Sequence, residues 1–398
     1  MTVSQIYGTV NDALSQVLGE KNILKEDLSN LVDMGKEVFD TDNVDNYVKT
    51  MMNKIGREVF DDRVYEGTAP KVMMDAFEFG SVTRVTDMDI PDAVENPAWN
   101  LTDGVNYSDN IFYQPQNIYQ KFYNDKTTFE VDISIAEMQI KESFRDSYEM
   151  GAFIGMIKNK CKMAMDIAFE NLIERTINNF IASKLIAGNG IVDLLTPYNE
   201  RNFTNEDDYL TPEQALEDIS FLKYMSKEMS LYVNRLKKIS VLFNVGKRQK
   251  FTPESALHFI VLDEVAKSSD IYLQADTYHN EMTKLPGYET VPFWQGMASG
   301  DTVAANTYAL EDNSRIYVEN DLGIVDGKYI VGVMFDRRAL GVTNYNQRIK
   351  GNPAQKGEFY NEYYKEDAGF FNNLNENGIV FVLGLDNSTI TPANNSEG

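Results

Sequence analysis

The stretch from Ser147 to Gly188, SYEMGAFIGMIKNKCKMAMDIAFENLIERTINNFIASKLIAG, constrains this chain more than any other. Ile154, Ile157, Cys161, Met165, Ala168, Leu172, Ile173, Ile177, Phe180, Ile181 and Leu185 recur at the helical period and make one apolar stripe. A coiled-coil heptad fails, because Arg175 and Asn179 fall on seam positions. The stretch therefore predicts a single helix laid on a broad surface. At about 1.5 Å per residue it is roughly 60 Å long. A compact sphere of this chain length is only about 55 Å across, so the reading favours a flattened or elongated molecule. The helix is preceded by TTFEVDISI, Thr127 to Ile135, which predicts a strand. Phe129, Val131, Ile133 and Ile135 point one way, and Glu130, Asp132 and Ser134 the other.

The rest of the 398 residues divides around this pair. Residues 1–62 carry short amphipathic helical patterns broken at Gly19 and at Asp40–Asp42. Lys71–Ile90 and Asn117–Ile135 predict extended chain. Between them, residues 91–115 hold three prolines and the aromatics Trp99, Tyr107, Phe112 and Tyr113. We read 63–135 as a long projecting hairpin, because a loop this long and apolar ordinarily binds something. Thr211 to Lys238 predicts a helix with an N-cap threonine and Pro212 at its first position. Ile239–Val245 predicts a strand, and apolar segments follow at ALHFIVLD and YETVPFWQG. Ser314–Tyr345 predicts a β meander with a hairpin turn at Asp326-Gly327. Residues 346–377 read as an irregular loop, Gly378–Gly384 as a buried strand and 385–398 as a frayed tail.

Chemistry is sparse. Only two histidines occur, His258 and His279, with no cysteine pair beside them; their spacing matches no metal pattern. His258 lies between Leu257 and Phe259 and reads as a core or edge residue. Cys161 sits on the apolar stripe and reads as a packed thiol. No nucleophile elbow or phosphate loop is present. The expectation is no catalytic residue, no cofactor and no metal. The net charge of −24 argues against tight non-specific DNA binding. One feature opposes it: Arg235, Lys237, Lys238, Lys247, Arg248 and Lys250 form a basic stretch with no acid among them. That stretch reads either as a solvated helix end or as a contact to an acidic neighbour. The single cysteine and the lack of a signal-like start point to a reducing cytosol. No apolar run is long enough to span a membrane.

The order of elements, with TFEVDISIAEMQIKESF leading into the long helix and YETVPFWQG and YIVGVMFDRRALGV further on, resembles the major capsid proteins of tailed bacteriophages. The wording of residues 70–185 looks like those of small short-tailed phages of the phi twenty-nine type. The resemblance implies an α+β, Hong Kong ninety-seven-like capsid fold with N-terminal arm, extended β-hairpin E-loop, long spine helix, and peripheral and axial domains. Residues 1–62 would be the arm, 63–135 the E-loop, 136–199 the spine of the peripheral domain, 200–312 mostly the axial domain, 313–384 the peripheral meander with an insertion at 346–377, and 385–398 the tail. It implies self-assembly into pentamers and hexamers around viral double-stranded DNA that is enclosed without specific binding. Scaffolding and portal proteins would be partners, with no membrane, and assembly would take place in the bacterial host cytoplasm. Trp99, Tyr107, Phe112, Tyr113, Arg235, Lys237, Lys238, Lys247 and Arg248 are the expected contact residues between copies. On residues alone, a portal or tail component and a carbohydrate-binding or carbohydrate-active protein remain alternatives.

Overall fold

The computed structural model describes residues 83–88, 118–136, 147–276, 285–294, 310–354, 359–384 and 390–392, and a few single positions. The predicted helical arm apart from Asn11, the hairpin tip with Trp99, Tyr107, Phe112 and Tyr113, and His279 lie outside the described residues. The chain groups into two compact units: Met1–Thr68, Thr127–Glu170 and Asn344–Ala368 form the first, and Ala69–Lys126, Asn171–Thr343 and Gly369–Gly398 the second.

Strands β1 (Thr83–Met88), β2 (Ile118–Tyr123) and β3 (Lys126–Ala136) precede helix α1 (Ser147–Ala187), which matches the sequence reading to within one residue. Gly188 follows it at φ +61°, a left-handed conformation suited to glycine after a helix end. Along the predicted stripe, Cys161, Met165, Leu172, Ile173, Ile177, Phe180, Ile181 and Leu185 are all buried. In β3, Phe129, Val131 and Ile133 are half-buried and Ile135 is buried, while Glu130, Asp132 and Ser134 are exposed.

In the first unit β3 lies at the edge of a sheet of order β10-β11-β3, where β10 is Leu340–Ala354 and β11 is Phe359–Asn372. This corrects the reading of 346–377 as an irregular loop. Its polar residues fall on both faces of β11, with Glu362, Tyr364 and Glu366 buried on one side and Asn361, Lys365 and Asp367 on the other, so cross-strand pairs rather than apolar alternation tie the strands. Ser134 donates to Asn361 (2.6 Å), Thr128 donates to Asp367 (2.8 Å), and Lys365 meets Glu130 (2.6 Å).

The second unit is built on a mixed five-stranded sheet, order β4-β12-β9-β5-β6. Its strands are β4 (Ile191–Asp193), β5 (Leu257–Leu262), β6 (Glu289–Val291), β9 (Ile330–Asp336) and β12 (Gly378–Val382). All of β9 and β12 is buried, as expected of strands covered on both faces. Helix α2 (Leu195–Asn202) follows β4. The predicted helix 211–238 is two: α3 (Pro212–Ala215), capped by Thr211, and α4 (Ile219–Lys237), capped anew by Asp218 accepting from Phe221 N–H at 2.8 Å. Helix α5 (Asp263–Asp276) follows β5. On one sheet face Phe180 of α1 packs on Phe335 (5.8 Å between centroids); on the other, Tyr232 of α4 packs edge-on to Phe381 (5.8 Å). Gly332 opens space for that second layer, because a Cβ there would meet Ile260 O at 3.2 Å and Phe259 Cε2 at 3.4 Å.

Ile239–Val245 is not a strand: one bridge, Ser240 to Lys250, is its only pairing among the described residues. Its carbonyls are taken by others, Leu242 O by Asn189 Nδ2 and Phe243 O by Lys184 Nζ and Gly378 N–H. After α6 (Leu310–Asn313) come β7 (Ile316–Asn320) and β8 (Gly323–Gly327), in a small sheet of order β13-β8-β7. Asp326-Gly327 is therefore no hairpin turn. Gly327 pairs with Ile316 inside the sheet, and Asp326 is held by a two-pronged ion pair from Arg315 (2.6 and 2.8 Å). The third strand, β13 (Ile390–Pro392), comes from the segment expected to fray.

Candidate functional site

Within the second unit β1 and β2 form a two-stranded antiparallel ribbon. The pairing Val85 with Lys121, Asp87 with Tyr119 and Thr83 with Tyr123 puts these residues on one face. That face is latched down. Asp87 meets Lys250 at 2.8 Å and Arg248 at 3.8 Å, and Lys250 also reaches Glu376 at 3.0 Å. The Arg248 guanidinium lies 3.5 Å from the centre of the Tyr119 ring, a cation–π contact. Tyr123 is buried against Phe371, 5.2 Å between centroids. Burial, then the charge of Glu376, pushes its hydroxyl well above the ordinary tyrosine range.

Electrostatics fit this latch. Burial pushes the Asp87 carboxyl up, but the Lys250 ammonium, the Met88 N–H and Arg248 outweigh it and hold it below the usual carboxylate range. Burial pulls Lys250 down, and Asp87 and Glu376 more than restore it. A cleft of about 330 Å³ opens beside the latch, lined by Val85, Ile118, Lys121, Asn373 and Asn375 among others.

The ribbon's other face carries Arg84, Thr86 and Met88 paired with Phe122, Gln120 and Ile118. All six are exposed, Ile118 at 61% and Phe122 at 60%. A two-stranded ribbon is marginal in water by itself, so the exposed Met88, Ile118 and Phe122 on this face, among Arg84, Thr86 and Gln120, suit a partner.

The basic stretch splits in two. Arg248 and Lys250 turn inward as the latch. Arg235 lies over the Tyr232 ring at 4.4 Å, at the end of α4, where cations also suit the helix dipole. Lys237 pairs with Glu254 (2.7 Å), and Lys238 and Lys247 are exposed. Sequence reasoning missed Asp87, Tyr119 and Glu376 as their partners, because these lie over a hundred residues away in the chain and nothing local marks them. It also missed Lys184, on the apolar side of α1. Lys184 is fully buried, donates to Phe243 O (2.7 Å), and is pushed down by burial to about 7. Asn189 lies 3.5 Å from its ammonium.

Of the residues weighed for chemistry, His258 and Cys161 lie among the described ones. His258 is half-buried on β5 and stacks on Phe335 (5.6 Å); burial pulls it below the usual histidine range. Cys161 is buried, and its thiol donates to Ile157 O at 2.9 Å. Among the described residues no group of three His, Cys, Asp or Glu could hold a metal, and no helix is long and apolar enough to cross a membrane.

Set beside known proteins, the sequence matches the description "Phi29-like phage major capsid protein" over residues 10–382. Among solved structures it is similar to the capsid structure of Staphylococcus phage Andhra, with 8% identity over 82% of this chain and 87% of that one and a TM-score of 0.49. A structure of the head fiber and inner core protein of bacteriophage P68 gives 9%, 82%, 88% and 0.49. The capsid of the cyanophage P-SCSP1u gives 10%, 83%, 93% and 0.42. No curated protein matches by sequence. What the chain defines is a phage structural protein with a mixed helix and strand fold. It belongs to the family of Phi29-like phage major capsid proteins and is a subunit of the viral shell.

Proposed function

We propose that this subunit closes into pentamers and hexamers, that the β1/β2 ribbon is the base of the clasp between neighbours, and that the chain performs no catalysis. In this reading the ribbon is the E-loop and α1 the spine of a Hong Kong ninety-seven-type fold. Trp99, Tyr107, Phe112 and Tyr113 sit at the clasp's far end, and Lys238 and Lys247 meet acidic surface on a neighbour. The observation that carries the reading is the ribbon itself: one face is fastened to its own subunit by Asp87, Lys250 and Arg248, while the other presents Met88, Ile118 and Phe122 to solvent. A head-to-tail contact of this kind closes rings, and many modest contacts made at once hold a shell through effective concentration.

The shell encloses double-stranded DNA without gripping it, because a chain of net charge −24 gains little from counterion release. Scaffolding and portal proteins complete the assembly in the host cytoplasm, a reducing compartment that suits the one free, buried thiol. The test is to delete residues 93–112 from the full chain and examine the product by electron microscopy and sedimentation. A soluble, folded subunit that forms no particles is the expected result; normal particles would overturn the clasp. Tight, salt-sensitive DNA binding by the purified subunit would overturn the account of the acidic surface.

A further inference from the structure

Residues 239–251 carry exposed apolar side chains. Ser240 and Lys250 exchange backbone hydrogen bonds of 2.9 and 3.0 Å, which sets Ile239 beside Phe251 on the face opposite Ser240 and Lys250. Ile239 is 52% exposed, Val241 42%, Leu242 66% and Phe251 53%. Ile239 and Phe251 are cross-strand neighbours, and Val241 and Leu242 follow Ser240 in the chain, so these exposed residues are not scattered singly.

The turn is fastened from below. Lys184 and Asn189 hold the carbonyls of Phe243 and Leu242, at 2.7 and 3.1 Å. Asn244, fully buried, accepts from Arg248 N–H (2.7 Å) and donates to Arg248 O (2.8 Å). Val245 N–H donates to Leu374 O at 3.0 Å. A loose turn could fold its Leu and Phe inward; this one is fixed with them outward, so a partner pays little to order it. Beside these residues in the chain stand the exposed Lys238 and Lys247, while Lys237 is taken by Glu254. The chain has 37 basic and 61 acidic residues, so exposed apolar residues beside these cations are complementary in charge to the bulk of the same chain's surface.

We propose that residues 239–251 are a docking platform for a second copy of this chain, with Leu242 and Phe251 among its apolar contacts and Lys238 and Lys247 against the neighbour's acidic surface. The proposal rests on the shell reading and adds a contact separate from the ribbon. It is tested in the full chain with L242S/F251S, both sites being more than half exposed. The variant keeps the wild-type melting profile and needs about tenfold more protein to associate in sedimentation velocity, a shift readable as a tenfold weaker equilibrium. K238E/K247E weakens association in the same direction.

A second measurement uses L242C, since Cys161 is buried: maleimide labels the new thiol in dissociated subunits and is excluded in assembled particles. Particles seen by microscopy report on the shell reading, and the labelling reports on the platform. Equal labelling in both states, or wild-type association by L242S/F251S, overturns the proposal. Wild-type flotation with phosphatidylserine vesicles, lost in L242S/F251S while its assembly stays normal, would reassign the patch to a membrane and overturn it as well.

Discussion

The five-stranded sheet and the β1/β2 ribbon belong to the same unit and obey opposite economies. The sheet is finished within one chain: α1 covers one face through Phe180 on Phe335, and α4 covers the other through Tyr232 on Phe381. Its polar groups are settled too, with buried Thr252 donating to Asp336 (2.8 Å) and buried Asn377 donating to Thr252 (3.3 Å). The ribbon is finished on one face only, and that face is held by charge and one buried tyrosine rather than by a packed layer. The difference separates what folding must accomplish from what assembly must accomplish. Core substitutions should cost stability, and substitutions on the ribbon's open face should cost assembly while leaving stability intact.

The largest break in that comparison is Phe335→Ala. It removes a fully buried ring from β9 and should cost about 3–5 kcal/mol in denaturant unfolding, enough to leave little folded subunit. The matched Phe122→Ala on the open face should leave the unfolding midpoint unchanged within error and reduce particle yield. Loss of stability at Phe122 equal to that at Phe335 would mean that the ribbon is core after all. Next comes Gly190→Ala. Gly190 has φ +74°, and a Cβ would stand 2.3 Å from Gly378 O, so strain and clash together should cost on the order of 1–3 kcal/mol. Lys250→Met, on the ribbon's latched side, removes the cation shared by the Asp87 and Glu376 carboxylates and leaves only Arg248, 3.8 Å from Asp87. A loss of about 1–3 kcal/mol is expected in the melting of the subunit. Faster proteolysis of the ribbon in that variant would locate the damage.

How much of this was legible in the sequence follows the same divide. Helix α1 could be read because eleven apolar residues repeat on one face, and β3 because Phe129, Val131, Ile133 and Ile135 alternate with polar residues. Those are local periodicities, and burial enforces them. The strands β10 and β11 hid because their faces are joined by side-chain pairs such as Ser134 with Asn361, which leave no apolar period. Ile239–Val245 looked like a strand because it is apolar, yet Ile239, Val241 and Leu242 are exposed and its carbonyls are taken by Lys184, Asn189 and Gly378. The basic stretch was visible as a run of charges, but which cations turn inward depends on Asp87 and Glu376, set by the tertiary fold. Lys184 gave no signal at all, since a lysine in a helix ordinarily points to solvent.

Two lysines carry the comparison into pH. Lys250 is paired with carboxylates, whereas Lys184 is buried with a carbonyl, an amide and the Phe180 ring, and has no ion pair among the described residues. Burial brings Lys184 to about 7, below the ordinary lysine value of 10.5 that it has in the unfolded chain. Between those two values the unfolded chain binds the extra proton, so this residue makes stability rise with pH from about 7 towards 10.5. Lys184→Met should remove that rise in melting temperature measured across the alkaline range. The acid side belongs to the ribbon. Asp87 is held below its ordinary value, so its contribution is present above that value and is lost as pH falls through the depressed one. Asp87→Asn should abolish an acid-induced increase in ribbon proteolysis while leaving the core's hydrogen-exchange protection as it was. This effect is the smallest of the set, because Asp87 is partly solvated and salt screens it. If the core lost protection in step with the ribbon, the two regions would form one cooperative element, and the separation of folding from assembly drawn above would fail.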